Sequence, residues 1–222
     1  MDFKYENEML EPVHNWLLSN DYLVKNEFVT SWGICDLVGV KFNKNHVKKR
    51  IKLGQQNPIG PKHRVFLLEN IPDTNDGKSI TIKRLKTLLD SRVDEINIEK
   101  EINYLLKNNF IISNKMNHFQ SINGWKPLHK KIVAIELKLN RIEEAFHQAY
   151  NNLVFATDSY VAFPNDVAKR LVNSIRINKF KKTGIGIIGV EKYNCEVLVK
   201  CKQSQNINTT IQAHIVERFW RS

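Results

Sequence analysis

The sequence predicts an α/β protein whose core is interrupted by a basic, largely helical insertion. Continuously apolar segments, which are typical of buried strands, alternate with amphipathic helices before residue 41 and again after residue 130. Between these two parts the chain is polar and basic, and its apolar residues recur at helical spacing. We therefore predict a discontinuous core domain, 1–40 with 130–222, and an inserted module over 41–129.

The composition excludes several classes of protein. The chain has 222 residues, of which 42% are hydrophobic, so it can bury a sizeable core. Its apolar stretches are shorter than the roughly 18 to 20 residues of a membrane span, and the acidic start MDFKYENEML lacks the pattern of a secretory leader. Three cysteines, Cys35, Cys195 and Cys201, show no CxxC pairing. Together these features favour reduced thiols and a cytoplasmic protein.

The positive charge is confined to the insertion. Residues 41–131 contain 19 of the 34 Lys and Arg residues but only 8 of the 23 Asp and Glu residues, which accounts for the whole formal charge of +11. Within them, 41–68 has eight basic residues and no acid. Such segregation indicates a surface for a polyanion, of which nucleic acid is the most natural, although a solvated basic loop is the alternative. The candidate contacts are Lys44, Lys48, Lys49, Arg50, Lys52, Lys62 and Arg64.

The first part of the chain reads as a helix followed by two strands. The helix is predicted over 5–19, although Pro12 requires it to begin late or to kink. The strands are predicted over 22–29 and 33–40. The second of them, GICDLVGV, is apolar except for Asp36.

The insertion is predicted to begin with a polar connection and to continue as helices. The connection covers 43–60 and contains turn signals such as Asn57-Pro58. Helical spacing follows over 62–70, 79–90 and about 95–108, with Ser79 and Asn97 as candidate N-caps. A short strand over 110–112 and a polar loop to Trp125-Lys126-Pro127 complete the module.

The order of these parts resembles the winged helix-turn-helix family over roughly 61–127. The segments that carry the likeness are SITIKRLKTLLD and NIEKEINYLLKNNFIISNK. The resemblance implies that the third helix, about 95–108, enters the major groove of DNA. Acidic residues crowd the start of that helix, namely Asp94, Glu95, Glu99 and Glu101. The basic arm at 41–64 is therefore expected to make most phosphate contacts; the alternative is that the helical module packs on the core or binds a protein.

After residue 130 the α/β pattern returns. Strands are predicted over 131–139, 159–163, 184–190 and 195–201, and helices over 141–156, 166–178 and 208–220. In the first strand, KIVAIELKL, the alternation of side chains puts Glu136 and Lys138 on one face and apolar residues on the other. Two opposite charges on such a strand must be paired, hydrated or bound to a metal, and a plain structural ion pair is the alternative to a functional site.

These residues together resemble the PD-(D/E)XK phosphodiesterases, the restriction-endonuclease-like superfamily. The likeness spans 1–40 and 130–200, through GICDLVGV, VAIELKL, HQAYNNLVFATDSYVAFP and GIGIIGV in that order. It implies a mixed central sheet flanked by helices. It departs from the family pattern in having Cys35 where proline is usual, and in the long separation of Asp36 from Glu136, which the insertion explains.

The resemblance also implies the roles of the site residues. Asp36, Glu136 and Glu8 would bind Mg²⁺, or Mn²⁺ in its place, with Glu11 as the substitute for Glu8. Lys138 would orient or deprotonate the attacking water, and Gln148 would position that water or a phosphate. We therefore expect a metal-dependent endonuclease acting on duplex or branched DNA, with two copies pairing if both strands are cut. The alternative is a nuclease-like protein that binds DNA without cutting it.

Overall fold

The computed structural model describes residues 3–88, 97–114, 117–205 and 207–220. It contains the following strands: β1 (Leu23–Thr30), β2 (Gly33–Phe42), β3 (Ile80–Thr81), β4 (Ile111–Ser113), β5 (His118–Ser121), β6 (His129–Leu137), β7 (Asp158–Pro164), β8 (Gly186–Val190) and β9 (Cys195–Val199). Its helices are α1 (Leu10–Ser19), α2 (Lys44–Lys52), α3 (Lys62–Asn70), α4 (Ile82–Leu88), α5 (Ile98–Lys107), α6 (Ile142–Asn152), α7 (Asn165–Val172), α8 (Ile177–Thr183) and α9 (Thr209–Glu217). None of these helices is long and apolar enough to cross a membrane.

The chain forms two compact units. Unit 1 comprises Met1–Lys41 and His129–Gln212, and unit 2 comprises Phe42–Leu128 and Ala213–Ser222. The last ten residues, which the sequence analysis assigned to the core, thus group with the insertion. These residues contact unit 2 through the end of α9. There Glu217 accepts hydrogen bonds from the Arg50 side chain and from the backbone N–H of Ile59, both in unit 2.

Unit 1 is built on a mixed six-stranded sheet, so the predicted α/β class is confirmed. The strand order is β1-β2-β6-β7-β8-β9. Strands β6, β7 and β8 run parallel, and the hairpins β1–β2 and β8–β9 are antiparallel. The three parallel strands are buried along most of their length, as expected when helices cover both faces of a sheet.

Two apolar clusters cover the sheet of unit 1. One includes α1 and one alternating set of strand side chains, among them Val13, Leu17, Leu37, Ile135 and Leu137. The other joins α6, α7 and α8 to the strands and includes Ala149, Phe146, Val161, Phe180 and Ile187. Alternate residues of β6 therefore lie on opposite faces of the sheet, and Val133, Ile135 and Leu137 pack on the face covered by α1, as the sequence pattern predicted.

Helix boundaries differ from the predictions where a local signal was ambiguous. A 3-10 turn, Glu6–Met9, precedes α1, so Pro12 falls in the first turn of α1, where no intrahelical N–H is needed. The helix predicted over 166–178 is two helices, because α7 ends at Val172 and α8 begins at Ile177. Apolar spacing continues through the break and hides it in the sequence.

Unit 2 packs α3, α4, α5 and a small sheet around a separate core. Its three-stranded antiparallel sheet has the order β3-β5-β4. The core joins α3 and α5 to the strands and includes Val65, Leu68, Leu105, Phe110 and Phe119. Asn97 caps α5 as predicted, since its side chain accepts a hydrogen bond from Lys100 N. Ser79 does not cap α4, because β3 comes between them.

Helix α2 replaces the predicted polar connection at the start of the insertion. Asn43 caps it by accepting hydrogen bonds from the N–H groups of Asn45 and His46. Basic residues occupy its last turn, where they complement the helix dipole. Its one buried residue is Arg50, and a charged residue on the packed face gives no apolar periodicity from which a helix could be predicted.

Candidate active site

The sheet of unit 1 brings Asp36 and Glu136 onto neighbouring strands. Asp36 lies on β2 and Glu136 on β6, which are adjacent in the sheet. Asp36 Oδ2 accepts a hydrogen bond of 2.7 Å from the backbone N–H of Leu137. The backbone of β6 therefore fixes the aspartate beside the glutamate, although the insertion separates the two in the sequence.

Glu136 is an acid in an environment that disfavours its charge. Its side chain is 2% exposed, and its Oε1 accepts a hydrogen bond of 2.6 Å from Asn152 Nδ2. Its Oε2 has no hydrogen-bond partner among the described residues. Burial first, and then the charge of Asp36, raise the pKa of Glu136 to about 7. Burial also raises the pKa of Asp36, so the two carboxylates compete for one proton or one cation.

Lys138 supplies positive charge on the same strand. Its side chain is buried, and its Nζ lies 3.6 Å from Glu6 Oε2 and 3.7 Å from Glu144 Oε1. The charge of Lys138 also acts on the pair, because it lowers the pKa of both Asp36 and Glu136 against the effect of burial. Among the described residues, Lys138 therefore forms its ion pairs with Glu6 and Glu144, while its charge also reaches Asp36 and Glu136.

Glu6, not Glu8, is the acid of the first helical segment that lies at this site. Glu6 contacts Lys138, accepts a hydrogen bond of 3.3 Å from Leu139 N, and raises the pKa of Asp36 through its charge. The carboxylate of Glu8 instead accepts hydrogen bonds from Lys4 N and Tyr5 N at the start of the 3-10 turn.

The substitute for Glu8 does not lie at the site either. Glu8 and Glu11 line a different cavity, of about 520 Å³. The assignment of Glu8 is therefore corrected to Glu6. The sequence held no signal for this, because its apolar spacing predicts an α-helix over 5–19, whereas residues 6–9 form a 3-10 turn, which presents its side chains differently.

Helix α6 contributes amide groups beside Glu136. Gln148 and Asn152 line a small cavity of about 60 Å³ together with Glu136. Gln148 Oε1 is buried and has no hydrogen-bond partner among the described residues. Asn152 was not identified from the sequence, although it follows Gln148 by four residues and so had to lie on the same face of a helix.

Cys35 lies in the same place but is chemically inert. It is 1% exposed, and its thiol donates to the carbonyl oxygens of Leu37 and Ile135. Burial, reinforced by the charge of Glu136, raises the pKa of this thiol well above its usual value. A nucleophilic thiolate would require the opposite shift, so this environment disfavours Cys35 as a covalent nucleophile.

The carboxylate pair fits a hard divalent cation. The described residues include no group of three or more His, Cys, Asp or Glu side chains that could hold a metal ion. Mg²⁺ does not require such a group, because it commonly binds through one or two carboxylates and keeps several waters. Burial raises the pKa of both acids, and Glu136 Oε2 has no hydrogen-bond partner among the described residues, so a cation bound to the two carboxylates would offset the cost of burying their charge. Asp36 and Glu136 therefore suit Mg²⁺ as its protein ligands.

Five of the seven predicted nucleic-acid contacts in unit 2 are exposed. Four of them lie on α2 and one at the start of α3: Lys44, Lys48, Lys49, Lys52 and Lys62. Their placement on a regular helix gives the basic arm a fixed geometry.

The other two predicted contacts, Arg50 and Arg64, are structural. Arg50 is fully buried against Glu217. Arg64 is 11% exposed, forms an ion pair with Glu101, and lies over the ring of Tyr104 at 3.6 Å from its centroid. Their guanidinium groups are held by partners within unit 2, so the assignment of these two residues to nucleic acid is corrected.

Comparisons with family models, with curated proteins and with solved structures find no match to this chain.

Proposed function

We propose that this chain is a Mg²⁺-dependent nuclease that hydrolyses phosphodiester bonds in DNA. The observation that carries the proposal is the adjacent pair of half-buried Asp36 and buried Glu136, whose pKa values burial raises, near the ammonium group of Lys138. Two carboxylates poised for a cation, with a cationic side chain alongside, suit the hydrolysis of an anionic ester. The arrangement also agrees with the resemblance of the sequence to the PD-(D/E)XK phosphodiesterases.

The residues divide the chemical tasks between them. Asp36 and Glu136 would hold Mg²⁺, which when bound acidifies a water molecule and neutralises charge on the phosphate. Asn152 keeps Glu136 oriented through its Nδ2 hydrogen bond. Lys138, held by Glu6 and Glu144, would donate to the attacking water or to a phosphate oxygen. Gln148 Oε1 is a free acceptor that would orient a water molecule in the small cavity.

Unit 2 is proposed to bind the DNA. From α3 onward, the described residues of unit 2 have the order helix, strand, two helices and two strands, with the sheet order β3-β5-β4, which is the order predicted for a winged-helix module. The start of α5 still carries Glu99 and Glu101, while Asp94 and Glu95 lie outside the described residues. We therefore assign the phosphate contacts to the exposed lysines of α2, with little direct base recognition.

The cleavage proposal predicts a loss of nicking activity when Glu136 is removed. With supercoiled plasmid and Mg²⁺, we expect Glu136→Ala to lower the nicking rate at least about a hundredfold, because the variant loses one of two proposed cation ligands. Chelator should abolish nicking by the parent protein. Glu11→Ala, an acid on the same unit outside the site, is the control and should cut at the parental rate.

The same assay separates the enzyme from its alternative. Nicking that is unchanged in Glu136→Ala would remove the enzymatic proposal. Absence of nicking by the parent protein on any DNA, together with tight and salt-sensitive DNA binding, would support a binding protein without activity.

Replacement of two α2 lysines is expected to weaken DNA binding in a salt-dependent way. Each phosphate contact contributes about 0.9 to the slope of log affinity against log salt concentration. Lys48→Gln with Lys49→Gln should therefore reduce that slope by about 2 and lower the affinity for all DNA sequences alike. Fluorescence anisotropy over a salt titration measures both. The matched control is Lys181→Gln with Lys182→Gln, an adjacent exposed pair in unit 1, and an equal effect there would contradict the assignment to α2.

A further inference from the structure

The β1–β2 hairpin ends in an exposed apolar tip, which we define as residues 29–34. Val29 and Ile34 are paired across the two strands and are 56% and 59% exposed. Trp32, in the turn between them, is 36% exposed. Single exposed apolar residues are common on protein surfaces, whereas three together at one turn form a continuous apolar patch.

The indole ring of Trp32 is held in place rather than free to rotate. It packs on Phe155 with 5.8 Å between ring centroids, and its Nε1 lies 3.4 Å from Asn152 Oδ1. The turn itself is closed by Thr30, whose Oγ1 donates to the carbonyl of Gly33 at 2.8 Å. An aromatic surface that is already ordered loses little entropy when a ligand stacks on it.

The tip adjoins the proposed catalytic carboxylates. Trp32 and Ile34 line the same cavity of about 60 Å³ as Glu136 and Gln148. Asn152 bridges the two, since it bonds to Trp32 through Oδ1 and to Glu136 through Nδ2. The cavity has room for a few water molecules but not for a nucleobase, so a base near this site would lie on the tip and not inside.

We infer that the hairpin tip stacks an unpaired nucleobase next to the phosphate that is cut. This rests on the proposed nuclease function and names its substrate class: DNA with a single-stranded or otherwise unpaired nucleotide at the cleavage position. In continuous duplex both faces of every base are covered by neighbouring bases, whereas an unpaired base offers a face to an aromatic side chain. Ile34 and Val29 extend the apolar surface on which that base rests.

Two binding measurements test the inference without cleavage. The full chain is titrated, in chelator, against a continuous duplex and against the same duplex carrying a single-stranded flap. We expect Trp32→Ala to lower affinity for the flapped DNA about tenfold and to leave affinity for the continuous duplex within about twofold, because base stacking is lost. Trp32→Phe should retain most of the preference. Tyr193→Ala removes an aromatic that is 86% exposed at another hairpin turn and is the matched control, expected to have no effect.

A positional readout excludes a merely structural role for Trp32. 5-Iodouracil placed at the unpaired position is expected to crosslink on irradiation to residues 29–34, identified by peptide mass spectrometry, and the same base in paired duplex is not. If Trp32→Ala unfolds, Ile34→Ser replaces it, since Ile34 is largely exposed, and should lower affinity for the flapped DNA about threefold.

The outcomes distinguish this inference from the proposed function. An unchanged ratio of the two affinities in Trp32→Ala and Ile34→Ser, or a crosslink elsewhere, overturns the stacking role of the tip. Loss of the preference with a crosslink at the tip, but no cutting of either DNA with Mg²⁺, supports the stacking site and refutes the nuclease. Cutting of both DNAs at equal rates refutes the substrate class alone.

Discussion

Glu136→Gln is expected to stabilise the metal-free protein at pH 8 by on the order of 3 kcal/mol. Burial, and then the charge of Asp36, raise the pKa of Glu136 to about 7 in the folded chain, against an ordinary value of 4.5. Above pH 7 the folded protein must therefore hold a buried charge that the unfolded chain carries at no cost. Glutamine has no charge to bury and can still accept the hydrogen bond from Asn152.

The sign of the pH dependence follows from this shift. Between about pH 4.5 and 7 the folded state keeps a proton on Glu136 that the unfolded state has released, so the parent loses stability as the pH rises through this window. His129 and His214 act in the opposite direction, because burial lowers the pKa of each. They are common to parent and variant, so the difference between the two proteins reports Glu136 together with Asp36, whose charge acts on it.

Urea unfolding in chelator at several values of pH from 5 to 8 measures this difference. Parent and Glu136→Gln should be nearly equal near pH 5 and should diverge as the pH rises, while Glu11→Gln should follow the parent throughout. Addition of Mg²⁺ at pH 8 should stabilise the parent and not Glu136→Gln, since a cation that binds only the folded state adds to its stability. If the free energy of unfolding of the two proteins differed by the same amount at every pH, the pKa of Glu136 would not be raised in the folded chain.

The core of unit 1 was predictable because its apolar pattern is strong. Alternation along β6 placed Glu136 opposite Ile135 and Leu137, and these two residues do pack in the cluster with α1. Periodicity alone could not identify the acid that lies beside Glu136, because the spacing of apolar residues within one strand does not determine which strand is its neighbour in the sheet. Asp36 was paired with it through the family resemblance, and the sheet does place the two on neighbouring strands.

The errors have a common physical origin in charged residues with structural roles. A lysine-rich stretch predicts that Arg50 is a solvent-exposed contact, yet it is the buried residue of α2. Its partner Glu217 lies far away in the sequence, so no local signal marks the pair. For the same reason the last ten residues were assigned to the wrong unit, because their attachment depends on that ion pair and on the contacts around it.

Arg50→Met is expected to cost unit 2 about 3 to 5 kcal/mol, the range for breaking a buried ion pair on one side. Arg50 donates to both carboxylate oxygens of Glu217 and to the carbonyl oxygens of Gln55 and Asn57. Its guanidinium also lies over the ring of Trp220 at 4.3 Å. Methionine fills similar space but, among the described residues, leaves the buried charge of Glu217 with the N–H of Ile59 as its remaining donor.

The second substitution shows whether the loss comes from the unpaired charge or from packing. In Arg50→Met with Glu217→Leu both charges are gone, so most of the stability should return, because an apolar pair of similar volume avoids the cost of desolvation. Lys49→Met, next to Arg50 and exposed, is the control and should change the free energy of unfolding by less than about 0.5 kcal/mol. Urea unfolding followed by tryptophan emission suits the measurement, since two of the four tryptophans, Trp125 and Trp220, belong to unit 2 and two, Trp16 and Trp32, to unit 1. A double variant no more stable than Arg50→Met would assign the loss to packing and to the backbone carbonyls that Arg50 satisfies, and not to the carboxylate of Glu217.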